Sequence, residues 1–150
     1  MLKISPDISQ AIRSEAEAAY PEECCGAILG IIPASGEKLG RVIRPVVNRQ
    51  ADGSRHNRFL ITAEAMLELE KYALSQGVDV LGFYHSHPDH PAKPSEFDQE
   101  NALPFYSYVI IGVDRGVAGE MTCWELSPDR TNFHLEELVI TTPTRQPGDS

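Results

Sequence analysis

The stretch VDVLGFYHSH, from Val78 to His87, reads as a strand that runs straight into two histidines. Side chains at i and i+2 of a strand lie on one face, so His85 and His87 project together from a strand end that opens onto solvent. A loop with three prolines follows, from Pro88 to Pro94. Ser95-Glu96-Phe97-Asp98 then carries the signature of a helix start, with Ser95 at the N-cap and Asp98 at the third helical position. The loop can fold this helix start back over the strand end, which turns Asp98 toward the two histidines. Capping alone accounts for Ser95 and Asp98, but not for their proline-stiffened interval from His-x-His-Pro.

Two neutral imidazoles, one carboxylate and an open fourth position make a catalytic zinc site. The same stretch holds a competing pattern. His85-Ser86-His87-Pro88-Asp89-His90 fits H-x-H-x-D-H, the motif of metallo-β-lactamase-type hydrolases. That class needs further histidines downstream and a longer chain with duplicated halves. Of the five histidines (His56, His85, His87, His90, His134), only His134 lies downstream. His90 is therefore read as a loop residue near the mouth of the site.

The remaining chain supplies a mixed sheet and helices to pack on it. Ser5-Pro6 reads as an N-cap followed by proline at the first helical position, opening a helix to about Tyr20 with Ile8, Ile12, Ala16 and Ala19 on one face. Cys24 to Ile32 is a continuous apolar run, expected as a buried strand. Glu37 to Asn48 is its expected partner, across a turn from Pro33 to Gly36. Arg49 to Asn57 reads as a polar loop and Arg58 to Ile61 as a short strand. Thr62 caps a helix to about Gln76, with Met66, Leu69 and Ala73 on one stripe and Gly77 as its stop. Ser95 opens a short helix to about Leu103, and three strands are expected over SYVIIGV, AGEMTCWEL and NFHLEELVI. This order predicts an α/β (α+β) fold, a mixed sheet flanked by helices, as one domain over residues 1–140. The polar residues 141–150 are expected to form a disordered tail.

Composition narrows the function classes. The chain has 150 residues, 41% of them hydrophobic and 23% charged, which suits one soluble domain. No stretch approaches the ~20 apolar residues of a membrane span. The first twenty residues carry charges throughout, so no signal peptide is expected and the chain reads as cytoplasmic. A net charge of −9 repels phosphate backbones and argues against nucleic acid as a partner. Vicinal Cys24 and Cys25, with Cys123 in a strand-like run, read as reduced, packed thiols.

Water activated by a metal still needs a proton acceptor that can later donate to a leaving amine. Glu22 and Glu23 follow the helix-ending Pro21 and lead into the apolar strand, and either is placed for that role. Pro21-x-Glu23-x-x-Gly26, followed by His85-Ser-His87-Pro-x5-Pro-Ser95-x2-Asp98, resembles the JAMM (MPN-plus, JAB domain) family of zinc metallopeptidases. The likeness spans roughly Ile4 to Ile140, and every motif position is occupied.

The resemblance implies a JAB/MPN-like domain: a mixed curved sheet with about three flanking helices, of cytidine-deaminase-like architecture. It implies His85, His87 and Asp98 as ligands of one catalytic Zn2+, and it assigns the general base to Glu23 and not Glu22. It implies that Ser95 stabilises a tetrahedral oxyanion. It also implies cleavage of an amide or isopeptide bond at the C-terminal tail of a ubiquitin-like protein. The compact chain is similar to small stand-alone prokaryotic members, which points to a sulfur-carrier protein as the ubiquitin-like partner, its tail extended along a strand edge. Arg55, His56 and Arg58 are candidates for contact with an acidic carrier surface. The alternative is a binding module of the same fold that holds a ubiquitin-like partner without turnover.

Overall fold

The computed structural model describes residues 1–46 and 61–141. Strand β1 (Leu2–Ile4) precedes helix α1 (Pro6–Ala19), strands β2 (Cys25–Ile31) and β3 (Lys38–Val46) and helix α2 (Ala63–Gln76). Strand β4 (Asp79–Pro88), helix α3 (Glu96–Asn101) and strands β5 (Ser107–Asp114), β6 (Val117–Leu126), β7 (Phe133–Leu135) and β8 (Leu138–Ile140) follow. The strands form one eight-stranded sheet in the order β7-β6-β5-β4-β2-β3-β1-β8. β4 runs antiparallel to β2 and parallel to β5, so the histidine strand lies well inside the sheet.

Each long helix starts and stops where its sequence dictates. Ser5 Oγ accepts from Ile8 N at 3.2 Å, with Pro6 in the first helical turn, where its missing N–H costs nothing. Thr62 Oγ1 accepts from Ala65 N at 3.1 Å. Gly77, at φ 68°, ends α2 in a left-handed conformation that carries no side-chain penalty in glycine.

Strand alternation divides the core between the two faces of the sheet. On one face Ile8, Ile12 and Ala16 of α1 pack with Ile28, Tyr84, Val109 and Ile111. On the other, Leu69 and Met66 of α2 pack with Ala27, Phe83 and Tyr108. Two glycines allow this closeness. A Cβ on Gly26 would stand 2.3 Å from Tyr84 Oη, and one on Gly82 would stand 1.9 Å from Ser107 O.

The mixed sheet with three helices matches the expected class. Two local expectations change. NFHLEELVI is not one strand: Phe133–Leu135 pairs with β6, whereas Leu138–Ile140 pairs with β1, at the far end of the sheet. The sheet curls until its two edges approach, and the chain steps across at Glu136 and Glu137. Glu136 N donates to Cys123 O at 2.8 Å, and Glu137 O accepts from Leu2 N at 2.9 Å. β1 itself was not expected; three residues before a capped helix carry too little pattern to announce a strand. The expected polar loop at 49–57 and residues 58–60 of the expected strand lie outside the described residues, and Ile61 belongs to no strand. Residues 142–150 of the expected tail also lie outside them. No helix among the described residues is long and apolar enough to cross a membrane.

Candidate metal centre

β4 delivers the two histidines. It is buried from Leu81 onward, and His85 and His87 are only 1% and 7% exposed. Phe83, His85 and His87 share one face, while Tyr84 and Ser86 point to the other.

β2 delivers the acidic partner. Cys25 pairs with His85 in antiparallel register. Ser86 N donates to Cys24 O at 3.1 Å, which carries the ladder one step further. Ser86 Oγ also accepts from Cys24 N at 2.8 Å, so both polar groups of Cys24 are tied to the residue between the histidines. The next position on the His85 face is Glu23, which is 4% exposed. A carboxylate oxygen of Glu23 and ring nitrogens of His85 and His87 all lie within 4.8 Å of one another. Glu22 is exposed and is not in this group.

α3 delivers Asp98. Ser95 Oγ accepts from Asp98 N at 3.1 Å, and Asp98 Oδ2 accepts from Ser95 N at 2.9 Å, a complete capping box. The same Oδ2 lies 3.3 Å from His85 Nε2 and 3.2 Å from His87 Nε2. The two ring nitrogens are 3.2 Å apart. The connecting loop is pinned along its length. Asp89 N donates to Val113 O at 2.7 Å, and Thr122 Oγ1 donates to Ala92 O at 2.6 Å.

The donor set fits zinc. His87 Nδ1 stands 2.8 Å from Pro91 O, a pairing that requires the proton on Nδ1 and leaves Nε2 as a lone-pair donor. A tetrahedral zinc with bonds of about 2.0–2.1 Å spaces its ligand atoms at roughly 3.3–3.4 Å. The triangle formed by His85 Nε2, His87 Nε2 and Asp98 Oδ2 has that edge length. Its open corner is where a fourth ligand or substrate would come.

Protonation tendencies agree with this use. Burial holds His85 below its ordinary pKa, against the opposing pull of Asp98. Burial alone would raise Asp98, but the charge and hydrogen bond of His85, with His87 and Ser95 N, hold it well below the usual carboxylate range. Glu23 behaves oppositely. Burial first, and the charge of Asp98 second, push it up to about 9. Its Oε2 has no hydrogen-bond partner among the described residues.

The competing H-x-H-x-D-H reading fails on geometry. Asp89 turns away, accepting from Tyr20 Oη at 2.6 Å and from Arg115 N at 2.8 Å. His134 is exposed on β7, and exposed His90 is absent from the donor triangle. His90 instead lines a cavity of about 240 Å³ with Glu23, His87 and Ser95, near the mouth of the site as expected. On the other side of the centre, His85 and Asp98 open into a cavity of about 520 Å³ walled by Met66, Phe83, Leu103 and Phe133. Arg55, His56 and Arg58 lie outside the described residues.

Residues 5–127 match the family described as prokaryotic homologs of the JAB domain. The chain belongs to that family. A relative within reach is the desampylase of Haloferax volcanii, 31% identical over 133 residues, which cover 85% of this chain and 89% of the relative. A solution structure of a Salinibacter ruber protein is 41% identical, covers 93% of this chain and 91% of its own, and superposes with a TM-score of 0.72. The crystal structure of a JAB1/MPN domain protein from Archaeoglobus fulgidus, 18% identical, shares the fold at a TM-score of 0.56, covering 94% of this chain and 97% of its own. The prokaryotic JAB fold thus accounts for the curled sheet and its three helices.

Two contributors escaped the sequence reading. Ser86 braces Cys24, and the carbonyl of Pro91 fixes the ring of His87. Ser86 gave one signal, a small hydroxyl set between the two histidines. The carbonyl gave none, since backbone geometry in a loop is not written in residue type.

Proposed function

We propose that this prokaryotic JAB protein is a zinc-dependent metallopeptidase of the isopeptidase kind. Its substrate is an amide bond at the C-terminal tail of a ubiquitin-like protein, of the sulfur-carrier type. The observation that carries the reading is Glu23: a buried carboxylate with an unpartnered oxygen, within 4.8 Å of the nitrogens of His85 and His87. A purely structural carboxylate would be hydrogen-bonded or exposed.

His85, His87 and Asp98 would hold the zinc, which when bound supplies Lewis acidity toward the scissile carbonyl and toward water. Glu23 takes a proton from the attacking water and returns it to the departing amine. Ser95 Oγ accepts from Asp98 N, which leaves its own hydroxyl proton for the developing oxyanion. One such donor contributes about 3 kcal/mol in related chemistry. The capping box keeps the Ser95 and Asp98 roles in register, because each residue orients the other.

The substrate class is supported by the Haloferax volcanii relative, named a desampylase. The apolar cavity beside His85 and Asp98 suits an extended, small-residue tail. Three free, buried cysteines support a cytoplasmic setting. Burial pushes the Cys24 thiol up to about 12 and raises Cys25 as well, and neither sulfur belongs to the donor group of Glu23, His85 and His87. A binding module without turnover has no use for a buried, lifted carboxylate beside a complete donor triangle.

The test is hydrolysis by zinc-loaded protein of a prokaryotic ubiquitin-like protein ending in Gly-Gly, extended by one alanine or linked to a lysine. Release of the intact Gly-Gly carrier supports the reading. Tight binding of both substrates without cleavage would establish the binding module instead.

A further inference from the structure

Asp89 belongs to the H-x-H-x-D-H pattern and takes no part in the donor triangle, yet both of its carboxylate oxygens are committed. Oδ2 accepts from Tyr20 Oη at 2.6 Å, and Oδ1 accepts from Arg115 N at 2.8 Å. Asp89 stands at φ 56°, a left-handed conformation that aspartate tolerates because its short side chain can bond its own turn. Neither oxygen is used in that way. Both reach distant segments, 69 and 26 residues away along the chain. The 2.6 Å contact has the length of a hydroxyl donating to an ionised carboxylate.

The segments joined are the ones that matter for the base. Tyr20 is the C-cap of α1, and Glu23 follows three residues later. Asp89 lies just past the end of β4, two residues after His87. Glu23 is therefore tied to the histidine strand from both sides. On its C-terminal side, Cys24 N donates to Ser86 Oγ at 2.8 Å and Ser86 N donates to Cys24 O at 3.1 Å. On its N-terminal side, Glu22 N donates to Ala19 O at 2.9 Å, and Tyr20 reaches Asp89. This second tether has firm ends, because the Tyr20 ring packs against the core under α1 and Arg115 N holds the carboxylate from the β5–β6 turn. Oε2 of Glu23 has no hydrogen-bond partner among the described residues, so no bond at that oxygen locates it. Its place beside the histidines depends on the backbone that carries it.

We infer that Tyr20 and Asp89 are positioning residues, whose bond holds the Glu23 segment against the metal strand. They act through Glu23 and supply no ligand. The inference rests on the proposed role of Glu23 as base and adds what keeps that carboxylate in range.

The test uses Tyr20→Phe, which keeps the packed ring, and Asp89→Gly, which suits the left-handed backbone. Amide hydrogen exchange of the metal-free proteins should be about 5-fold faster at Glu22 and Cys24 in either variant, as for the loss of one hydrogen bond, and unchanged from Leu81 to Phe83 of β4. In the zinc-loaded protein, Tyr20→Phe should lower kcat on the Gly-Gly carrier extended by one alanine by about 5-fold, with KM and zinc content unchanged. The double variant should match Asp89→Gly, and Tyr20→Phe added to Glu23→Gln should cost nothing further, since a residue that acts through Glu23 has no effect without its carboxylate. Wild-type exchange and kcat in Tyr20→Phe, or an equal fall of kcat in the Glu23→Gln background, would overturn the positioning role and leave the peptidase reading intact. Absence of cleavage by the wild type would remove both.

Discussion

Asp98 Oδ2 faces His87 Nε2 at 3.2 Å while the same oxygen accepts from Ser95 N at 2.9 Å. One atom thus closes a helix cap and completes a donor triangle. The S-x-x-D pattern is a capping box that also aims its carboxylate at two imidazoles, and the two contacts support each other. The cap fixes where the carboxylate points, and the triangle explains why the loop returns the helix start to the strand end.

Asp98→Ala and Ser95→Ala separate the two roles. Either change should lower the stability of the metal-free protein by about 1 kcal/mol through loss of the cap. Only Asp98→Ala should also abolish zinc retention during dialysis. Ser95→Ala should keep its zinc and lose about 10²–10³ in kcat, as for removal of an oxyanion donor. Thermal unfolding, zinc content and steady-state kinetics on the two variants check this.

Glu23→Gln should leave zinc binding in place and lower kcat by at least about 10²-fold, because the amide cannot shuttle a proton. Turnover equal to wild type would remove Glu23 from its role as base.

The same residue sets a pH dependence in the metal-free protein. The ordinary carboxyl value of 4.5 rises to about 9 for Glu23 in the fold, first through burial and then through Asp98. A raised folded pKa stabilises below the unfolded pKa, and that contribution is lost as pH rises through the folded one. The wild type should therefore lose stability between about pH 4.5 and about pH 9, and Glu23→Gln should not. The advantage of the variant should grow across that window to about 1–3 kcal/mol, the ordinary cost of a buried group without a partner. Denaturant midpoints near the two ends of the window measure it, and parallel curves would contradict it.

Gly26→Ala tests the packing behind the site. Its Cβ would meet Tyr84 Oη at 2.3 Å, and Tyr84 is wholly buried with its hydroxyl donating to Glu15 Oε2 at 2.6 Å. Overpacking of this kind costs about 1–3 kcal/mol, read as a lower thermal midpoint. Zinc content should stay near wild type, since Tyr84 points away from the histidine face.

Most of the site was legible because its signals are local. His85 and His87 share a face by strand periodicity. Ser95 and Asp98 announce a helix start, and Cys24 to Ile32 announces the buried strand that brings Glu23 in. What the residues alone left open was which of Glu22 and Glu23 faces the histidines, and strand register places Glu23 there by pairing Cys25 with His85. The split of NFHLEELVI was illegible for a physical reason. Phe133–Leu135 and Leu138–Ile140 carry similar strand patterns, and only the curl of the whole sheet sends one to β6 and the other to β1.

The measurement that bears most directly on the central claim is zinc content by mass spectrometry, for the wild type, Glu23→Gln and the double variant His85→Ala/Asp98→Ala. The account predicts one zinc per chain in the first two and none in the third. No metal in the wild type after zinc is offered, or zinc kept by the double variant, would contradict it.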